Sequence, residues 1–519
     1  MCGILAVLGA SQVPPEARRL LSRRGPDANG EISVDLNQDT RALLAGFVLH
    51  MQDTVPQPLR DLETGNWLVF NGEVYSDFTG ESYKSDTKRV LAVLSSCETQ
   101  EDRARALDDS IGEGEWSLIF YSRKEKSILV GRDRFGRRSL VEGRDARTGQ
   151  VGFISSVAFA ADSISWSEVP VDCFQVIEAA AGGETRTIAR GRDALPVQQK
   201  TLSSSWDTKQ MFLKALELGV RRRITSHTLG PTRRFAVLFS GGIDSVLIAA
   251  LAHRVCDDPS LTIPLVNVSF QGEAAPDRIA ARQALRELVS IYPARHWDFI
   301  AVDVPLAEVR DDHELIKLHI IPKSTVMDFN LGSVLWFASK HAPSDCRALL
   351  TGLGADELTG GYGRHRTACQ KGGEKALKAE LQLDLSRMWT RNLGRDDRCI
   401  AAHGKELRAP FLDQDVVATV LCSPLSDLVD FSVGSSRSDG GDKLVIRRLM
   451  MDLGFHETAV REKRAAQFGS RMAKLVKSGR SGKDEFDVSI LATEEDLVLQ
   501  LKSSGKAEHG NSMLYQEEE

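Results

Sequence analysis

A short apolar run, Phe235–Phe239, passes straight into Ser240-Gly241-Gly242-Ile243-Asp244-Ser245 and then into a second apolar stretch, Val246–Val255, with helical spacing. This strand, glycine turn and helix constrain the fold more than any other feature of the chain. A short, continuously apolar strand is buried on both faces, and strands of that kind belong to parallel sheets covered by helices. The pattern continues downstream with a strand at Leu265–Phe270, a helix near Asp277–Ser290 and a strand at Phe299–Val302. Strand and helix in alternation give a parallel sheet with crossover helices. Paired glycines between strand and helix let backbone N–H groups curl around an anion, and the helix N-terminus adds partial positive charge. Ser240 and Ser245 supply hydroxyls, and Asp244 can hold Mg2+ beside phosphates. The Gly-Lys-Ser/Thr ending of a Walker loop is absent.

The region before this motif reads differently. Apolar runs at Gly3–Leu8, Leu43–Leu49, Trp67–Phe70, Trp116–Tyr121, Ser127–Val130 and Val151–Ser155 are separated by Gly, Pro, Asn and Asp turns, with helical pattern near Pro15–Ser22 and Thr87–Ser95. At 519 residues the chain exceeds what one core organises. We divide it into residues 2–185, a linker near 180–205 where the composition turns small and polar, residues 206–477, and a polar, mobile tail over 478–519.

Composition narrows the classes of function. A net charge of −6 gives no electrostatic case for nucleic acid as a partner. Eight cysteines show no CxxC or Cys/His zinc spacing, and a disulfide framework is not expected without a secretory signal. The start, MCGILAVLGA, lacks a basic n-region, and no run reaches 18 apolar residues, so the expectation is a cytoplasmic protein without a membrane partner. The oligomeric state is not fixed by the sequence, which leaves a homodimer open.

Cys2 is the first chemical feature. Removal of Met1 would leave a residue carrying both a thiol and a free α-amine, and an amine titrating near pH 8 can take the thiol proton without a histidine. A second-position cysteine is weak evidence alone. It gains weight from Arg24-Gly25-Pro26-Asp27, from Asn71-Gly72-Glu73-Val74-Tyr75 after an apolar strand, and from Ser85-Asp86-Thr87 opening a helix. Met-Cys-Gly-Ile, Arg-Arg-Gly-Pro-Asp, Asn-Gly-Glu and Ser-Asp-Thr in this order resemble the N-terminal-nucleophile glutaminase domain of asparagine synthetases. Gly131-Arg132-Asp133 with Phe135-Gly136 resembles a later signature of that family.

Further segments extend the resemblance to residues 2–475. Ser240–Ser245 is similar to the SGGxDS loop of ATP pyrophosphatases. Thr351-Gly352-Leu353-Gly354-Ala355-Asp356-Glu357 with Gly360-Gly361-Tyr362, Arg408-Ala409-Pro410-Phe411-Leu412-Asp413 and Gly441-Asp442-Lys443 look like asparagine synthetase segments. The implied fold is α/β multidomain: an N-terminal Ntn-hydrolase-type αββα sandwich, then an adenine-nucleotide α-hydrolase-like parallel α/β domain.

The resemblance also implies roles. Cys2 would attack the glutamine carboxamide, while Asn71 and the Gly72 N–H would stabilise the oxyanion. Glu73, Asp86 and Arg24 would bind the substrate, the carboxylates suiting its α-ammonium group. Leu238, Ser240, Gly241, Gly242, Asp244, Ser245, Val268, Thr351 and Gly352 would line the ATP pocket. Asp244 and Asp356 would hold Mg2+, and Lys443 would neutralise the reacting phosphate. Glutamine, ATP and aspartate are the implied substrates, giving asparagine, AMP, pyrophosphate and glutamate.

Two positions depart from the family. Val48 stands where an arginine grips the glutamine α-carboxylate, and Leu353 stands where a glutamate acts as base. Valine cannot replace a bidentate guanidinium, nor can leucine accept a proton, although Glu357 is a nearby carboxylate. Both departures fit the divergent asparagine synthetase domain-containing proteins. They motivate an alternative reading, a catalytically degenerate paralogue with a regulatory or nucleotide-binding role.

Overall fold

The computed structural model describes residues 2–51, 55–75, 85–111, 113–178, 185–190, 207–225, 229, 232, 234–431, 441–477, 480–493 and 496. Its first half is built on two six-stranded antiparallel sheets. One runs, in spatial order, Ile164–Glu168, Val141–Asp145, Val151–Ser155, Gly3–Leu8, Arg41–Val48, Ala28–Asp35. The other runs Thr185–Ala189, Cys173–Glu178, Ser127–Arg132, Gly114–Ser122, Trp67–Val74, Leu59–Arg60.

The strand Gly3–Leu8 shows why these sheets stack. Successive side chains of a strand point to opposite faces. Ile4 and Ala6 pack between the sheets with Leu44, Val69, Ile119 and Val130. Leu5 and Val7 point the other way, onto Ala17, Leu20 and Leu21 of the helix Pro15–Arg24. Beneath the second sheet, Val90, Leu91 and Leu94 of the helix Asp86–Ser96 pack on Leu68, Phe70 and Leu118. The layers are therefore helix, sheet, sheet, helix: the αββα sandwich expected from the sequence.

The second half is a parallel five-stranded sheet in the order Trp297–Asp303, Ile263–Ser269, Arg234–Leu238, Cys346–Leu350, Glu406–Arg408. The chain builds outward from Arg234–Leu238 for two strands and then returns to that strand's other side. Such a reversal opens a crevice at the carboxyl ends of the strands on either side of it. The helix Ile243–Val255 is apolar nearly all round and correspondingly buried.

The two halves meet through buried ion pairs. Arg138 binds Glu406 at 2.9 Å, Arg223 binds Glu115 at 2.7 Å, and Arg398 binds Glu168 at 2.8 Å. Arg137 donates both to Glu113 and to the Leu412 carbonyl.

Two expectations are corrected. Thr185–Ala189 pairs with Cys173–Glu178 as an edge strand, so the first sheet pair continues past residue 185. The rest of the expected linker, 179–184 and 191–206, lies outside the described residues. The tail is not mobile throughout its length. Over 480–493 Phe486 stacks on Phe329 with ring centroids 3.5 Å apart, Ile490, Leu491 and Ala492 are buried, and Leu491 bridges to Val476. A few apolar anchors hold a segment whose average composition is polar; residues 497–519 lie outside the described residues. Among the described residues no helix is long and apolar enough to cross a membrane.

Candidate functional site

Cys2 sits at the entry to the innermost strand of the first sheet, facing the strand Trp67–Val74 of the second. Its backbone N–H donates to Asn71 Oδ1 at 2.9 Å. Asn71 is fully buried, and its Nδ2 donates to Ser117 Oγ at 3.4 Å. The Oδ1 of Asn71 thus holds the nitrogen of the nucleophile. Gly72 follows at φ +151°, and a Cβ there would lie 2.1 Å from the Glu115 carbonyl oxygen, so only glycine fits.

Val48, His50, Gln57, Gly72, Glu73 and Asp86 are among the residues that join Cys2 around a pocket of about 380 Å3, its open mouth included. Burial, followed by the charges of Glu406 and Asp86, holds the Glu73 carboxyl well above its usual range. Burial raises the Cys2 thiol too, against the lowering effect of the chain's terminal ammonium group. Asp86 Oδ2 accepts from the Val74 N–H at 2.8 Å, tying the helix Asp86–Ser96 to the strand that carries Gly72 and Glu73.

The sequence reading overlooked Gln57. Its Nε2 lies 3.9 Å from Cys2 Sγ and donates to the Phe70 carbonyl at 3.0 Å, while its Oε1 accepts from the Phe70 N–H at 2.7 Å. No local pattern distinguishes it from an ordinary loop glutamine. Arg24 is corrected in the other direction. It does not contact the pocket as a substrate-gripping cation, because its fully buried guanidinium binds Asp397 at 2.9 Å and reaches the Cys2 carbonyl at 3.4 Å.

The second site occupies the crevice of the parallel sheet. Ser240–Ser245 follows the strand Arg234–Leu238, and Thr351–Glu357 follows Cys346–Leu350. Leu238 and Val268 stand at the carboxyl ends of neighbouring strands. Gly241 takes φ +77°, and a Cβ there would sit 2.2 Å from the Ala281 nitrogen. Ser240 Oγ accepts from the Gly242 N–H at 3.2 Å, and Ser245 Oγ donates to the Gly242 carbonyl at 2.9 Å. Thr351 N–H donates to the Arg408 carbonyl at 3.0 Å, and a Cβ on Gly352 would lie 2.7 Å from Asp244 Cβ. The two segments are therefore in direct contact.

Lys443 completes this site. Its Nζ lies 2.6 Å from Asp244 Oδ2 and 2.6 Å from Asp356 Oδ1, with its own side chain 1% exposed. Burial disfavours the ammonium, but the two carboxylates outweigh that and hold it charged. Burial likewise opposes ionisation of Asp356, yet Lys443 and Lys463 bring its carboxyl down to about 2. Asp244 is raised, by burial first and by Asp356 beside it. Asp244 Oδ1 is buried with no hydrogen-bond partner among the described residues. An orphaned carboxylate oxygen beside a second carboxylate fits Mg2+, which takes one or two protein carboxylates and fills its shell with phosphate and water. No third His, Cys, Asp or Glu joins them among the described residues.

Leu353 packs partly buried against the core. Glu357, the nearby carboxylate, is buried and accepts from the Tyr362 hydroxyl at 2.8 Å. Burial and the adjacent Asp356 raise its carboxyl.

Comparisons with known proteins place the sequence among characterised families. The asparagine synthase family model matches residues 214–372 and 367–481, together more than half of the chain, and the glutamine amidotransferase domain model matches 1–172. The chain is 29% identical over 630 aligned positions to the mouse asparagine synthetase domain-containing protein 1, covering 93% of this chain and 99% of that protein. It is 26% identical to a putative glutamine-hydrolysing asparagine synthetase 1 of Methanocaldococcus jannaschii, covering 71% of this chain and 66% of the other. A solved glutamine phosphoribosylpyrophosphate amidotransferase from B. subtilis aligns at 13% identity with a TM-score of 0.32, covering 57% of this chain and 90% of that one. With a cysteine pocket in one half, a lysine-bridged acidic crevice in the other and a family model that spans most of the latter, the chain belongs to the asparagine synthase family.

Proposed function

We propose that this protein is an ATP-dependent amidotransferase that makes asparagine from aspartate, with nitrogen released from a glutamine carboxamide at Cys2. The observation that carries the reading is the bridging of Asp244 and Asp356 by Lys443, which assembles the charges a triphosphate needs from three distant parts of the sequence. Backbone N–H groups of Ser240–Ser245 would bind phosphate oxygens, and Lys443 would neutralise charge as pyrophosphate departs. Mg2+, held by Asp244 and Asp356, would stabilise that leaving group. The aspartate β-carboxylate would take up AMP, and ammonia would displace it.

In the first half, the Cys2 amine released by loss of Met1 would accept the thiol proton, and Gly72 N–H would donate to the oxyanion. Water would then hydrolyse the thioester. Purified protein given ATP, Mg2+, aspartate and glutamine should release pyrophosphate only when aspartate is present and form asparagine, read by mass spectrometry. Neither product at saturating substrates would refute the proposal.

Val48 and Leu353 support a second reading, in which the fold binds nucleotide but the amide-forming step is lost. In that case ATP–Mg2+ binds by calorimetry and Cys2→Ala leaves the cellular role intact.

A further inference from the structure

Gln57 is buried and held from two sides. Gly30 and Gly46 are cross-strand partners in the first sheet. A Cβ on Gly30 would lie 2.8 Å from the Gln57 carbonyl oxygen, and one on Gly46 would lie 2.6 Å from Gln57 Cβ. Two neighbouring positions without side chains thus make the slot that receives this residue. On the other side the carboxamide pairs with both backbone groups of Phe70, as an adjacent strand would: Oε1 accepts from the N–H at 2.7 Å, and Nε2 donates to the carbonyl at 3.0 Å. Because a carboxamide has one accepting and one donating end, this pairing fixes where the nitrogen stands. It also occupies one of the two Nε2 protons. The other is directed to Cys2 Sγ, 3.9 Å from the same nitrogen. A neutral thiol at that distance draws little from an N–H, whereas an ionised sulfur draws a charge-assisted bond, shorter and about twice as strong.

We propose that Gln57 holds the Cys2 thiolate through Nε2, aiming the sulfur and favouring its ionised form ahead of attack on the carboxamide. This rests on the reading of Cys2 as an amidase nucleophile. The thiol proton passes to the α-amine freed by loss of Met1, the sulfur bonds to the γ-carbon, and the carboxamide nitrogen leaves as ammonia with that proton. Gln57 keeps its own protons throughout. Burial opposes ionisation of the sulfur, as do Glu406 and, when ionised, Glu73, while the chain's terminal ammonium and a backbone hydrogen bond from Leu49 favour it. Asp86 also lines the pocket. Gln57 is neutral, so replacing it leaves all of these charges in place, and a change in the titration of the sulfur reports the lost N–H.

Alkylation of the full-length protein by iodoacetamide, with loss of Met1 confirmed by mass, tests this across the neutral to alkaline range. Mass spectrometry of the N-terminal peptide separates Cys2 from the other cysteines. Gln57→Met keeps the volume and removes the donor, so the midpoint for Cys2 should rise by about one pH unit, the scale of one hydrogen bond to a charged sulfur. Below both midpoints the variant should react about threefold more slowly, because about tenfold less thiolate is offset about threefold by the greater nucleophilicity of a more basic sulfur. Above both it should react about threefold faster, a reversal that a merely structural role would not produce. Ammonia release from glutamine should fall in kcat/KM by about the same threefold below the midpoints. Gln57→Glu is the second variant. It keeps an acceptor for the Phe70 N–H and leaves the sulfur no donor, because a protonated carboxyl has one proton and the Phe70 carbonyl takes it. Its midpoint should rise at least as far. An unchanged midpoint in either variant, once folded, would overturn the proposal and leave Gln57 as a strand-pairing residue alone. Absence of ammonia release by the unmodified protein would overturn the amidase reading, while the alkylation comparison still decides this one.

Discussion

Replacing Lys443 by methionine removes the one cation shared by two carboxylates while keeping the volume of the side chain. Each contact is 2.6 Å long, which at an effective dielectric of about 20 is worth about 6 kcal/mol of gross attraction, largely offset by desolvation of the three charges. The net loss for a buried pair broken on one side is about 3–5 kcal/mol. Its pH dependence identifies the cause. In the wild type the Asp356 carboxyl lies at about 2, below its ordinary 3.8, so its stabilisation is complete above pH 3.8 and is lost only as pH falls through about 2. Stability from the Asp356 carboxyl is therefore flat between pH 5 and 8. In Lys443→Met the two neighbouring carboxylates repel each other in a buried site, and the folded state takes up a proton to relieve that repulsion. A carboxyl raised by folding costs stability above its unfolded value, so the deficit grows as pH rises. Urea melts at pH 5 and pH 8 measure it: the deficit should be clearly larger at pH 8, and pyrophosphate release should fall about 10²–10³-fold. Equal deficits at the two pH values would refute the electrostatic reasoning.

Three further outcomes are expected. Gly361→Ala would place a Cβ 1.9 Å from Asp356 Oδ1 and 2.4 Å from Lys443 Cε, so ATP–Mg2+ affinity by calorimetry should drop about tenfold with far-UV circular dichroism unchanged. Cys2→Ala should abolish ammonia release from any carboxamide while pyrophosphate release with added ammonium salt persists, because the thiol lies in the other half of the chain. Phe486→Ala removes the ring stacked on Phe329 and should lower stability by about 3–5 kcal/mol in a denaturant melt; an unchanged melt would show that 480–493 is not part of the folded unit.

The sequence made some elements plain and hid others for a physical reason. Gly3–Leu8 and the run from Leu43 within Arg41–Val48 are apolar because both faces of their sheet are covered, and they read as strands at once. Ala28–Asp35 exposes alternate residues at the sheet edge and carries no such run, so it went unseen. The polar segment 480–493 concealed Phe486, Ile490 and Leu491 in the same way. Among candidate residues, Asp244 and Cys2 were legible because a glycine turn before a helix and a thiol at the chain start are local facts. Gln57 and the true partner of Arg24 were not.

By itself the sequence determined the two hydrophobic regimes, the glycine turn that exposes backbone N–H groups, and the residue types at each reacting position. These depend on neighbours along the chain, where backbone sterics and side-chain period act. Only the tertiary structure decided that Lys443 sits between Asp244 and Asp356 and that Arg24 binds Asp397. Those outcomes depend on which charges are buried together, and a buried charge takes whichever partner the fold brings within reach, however far away in sequence that partner lies.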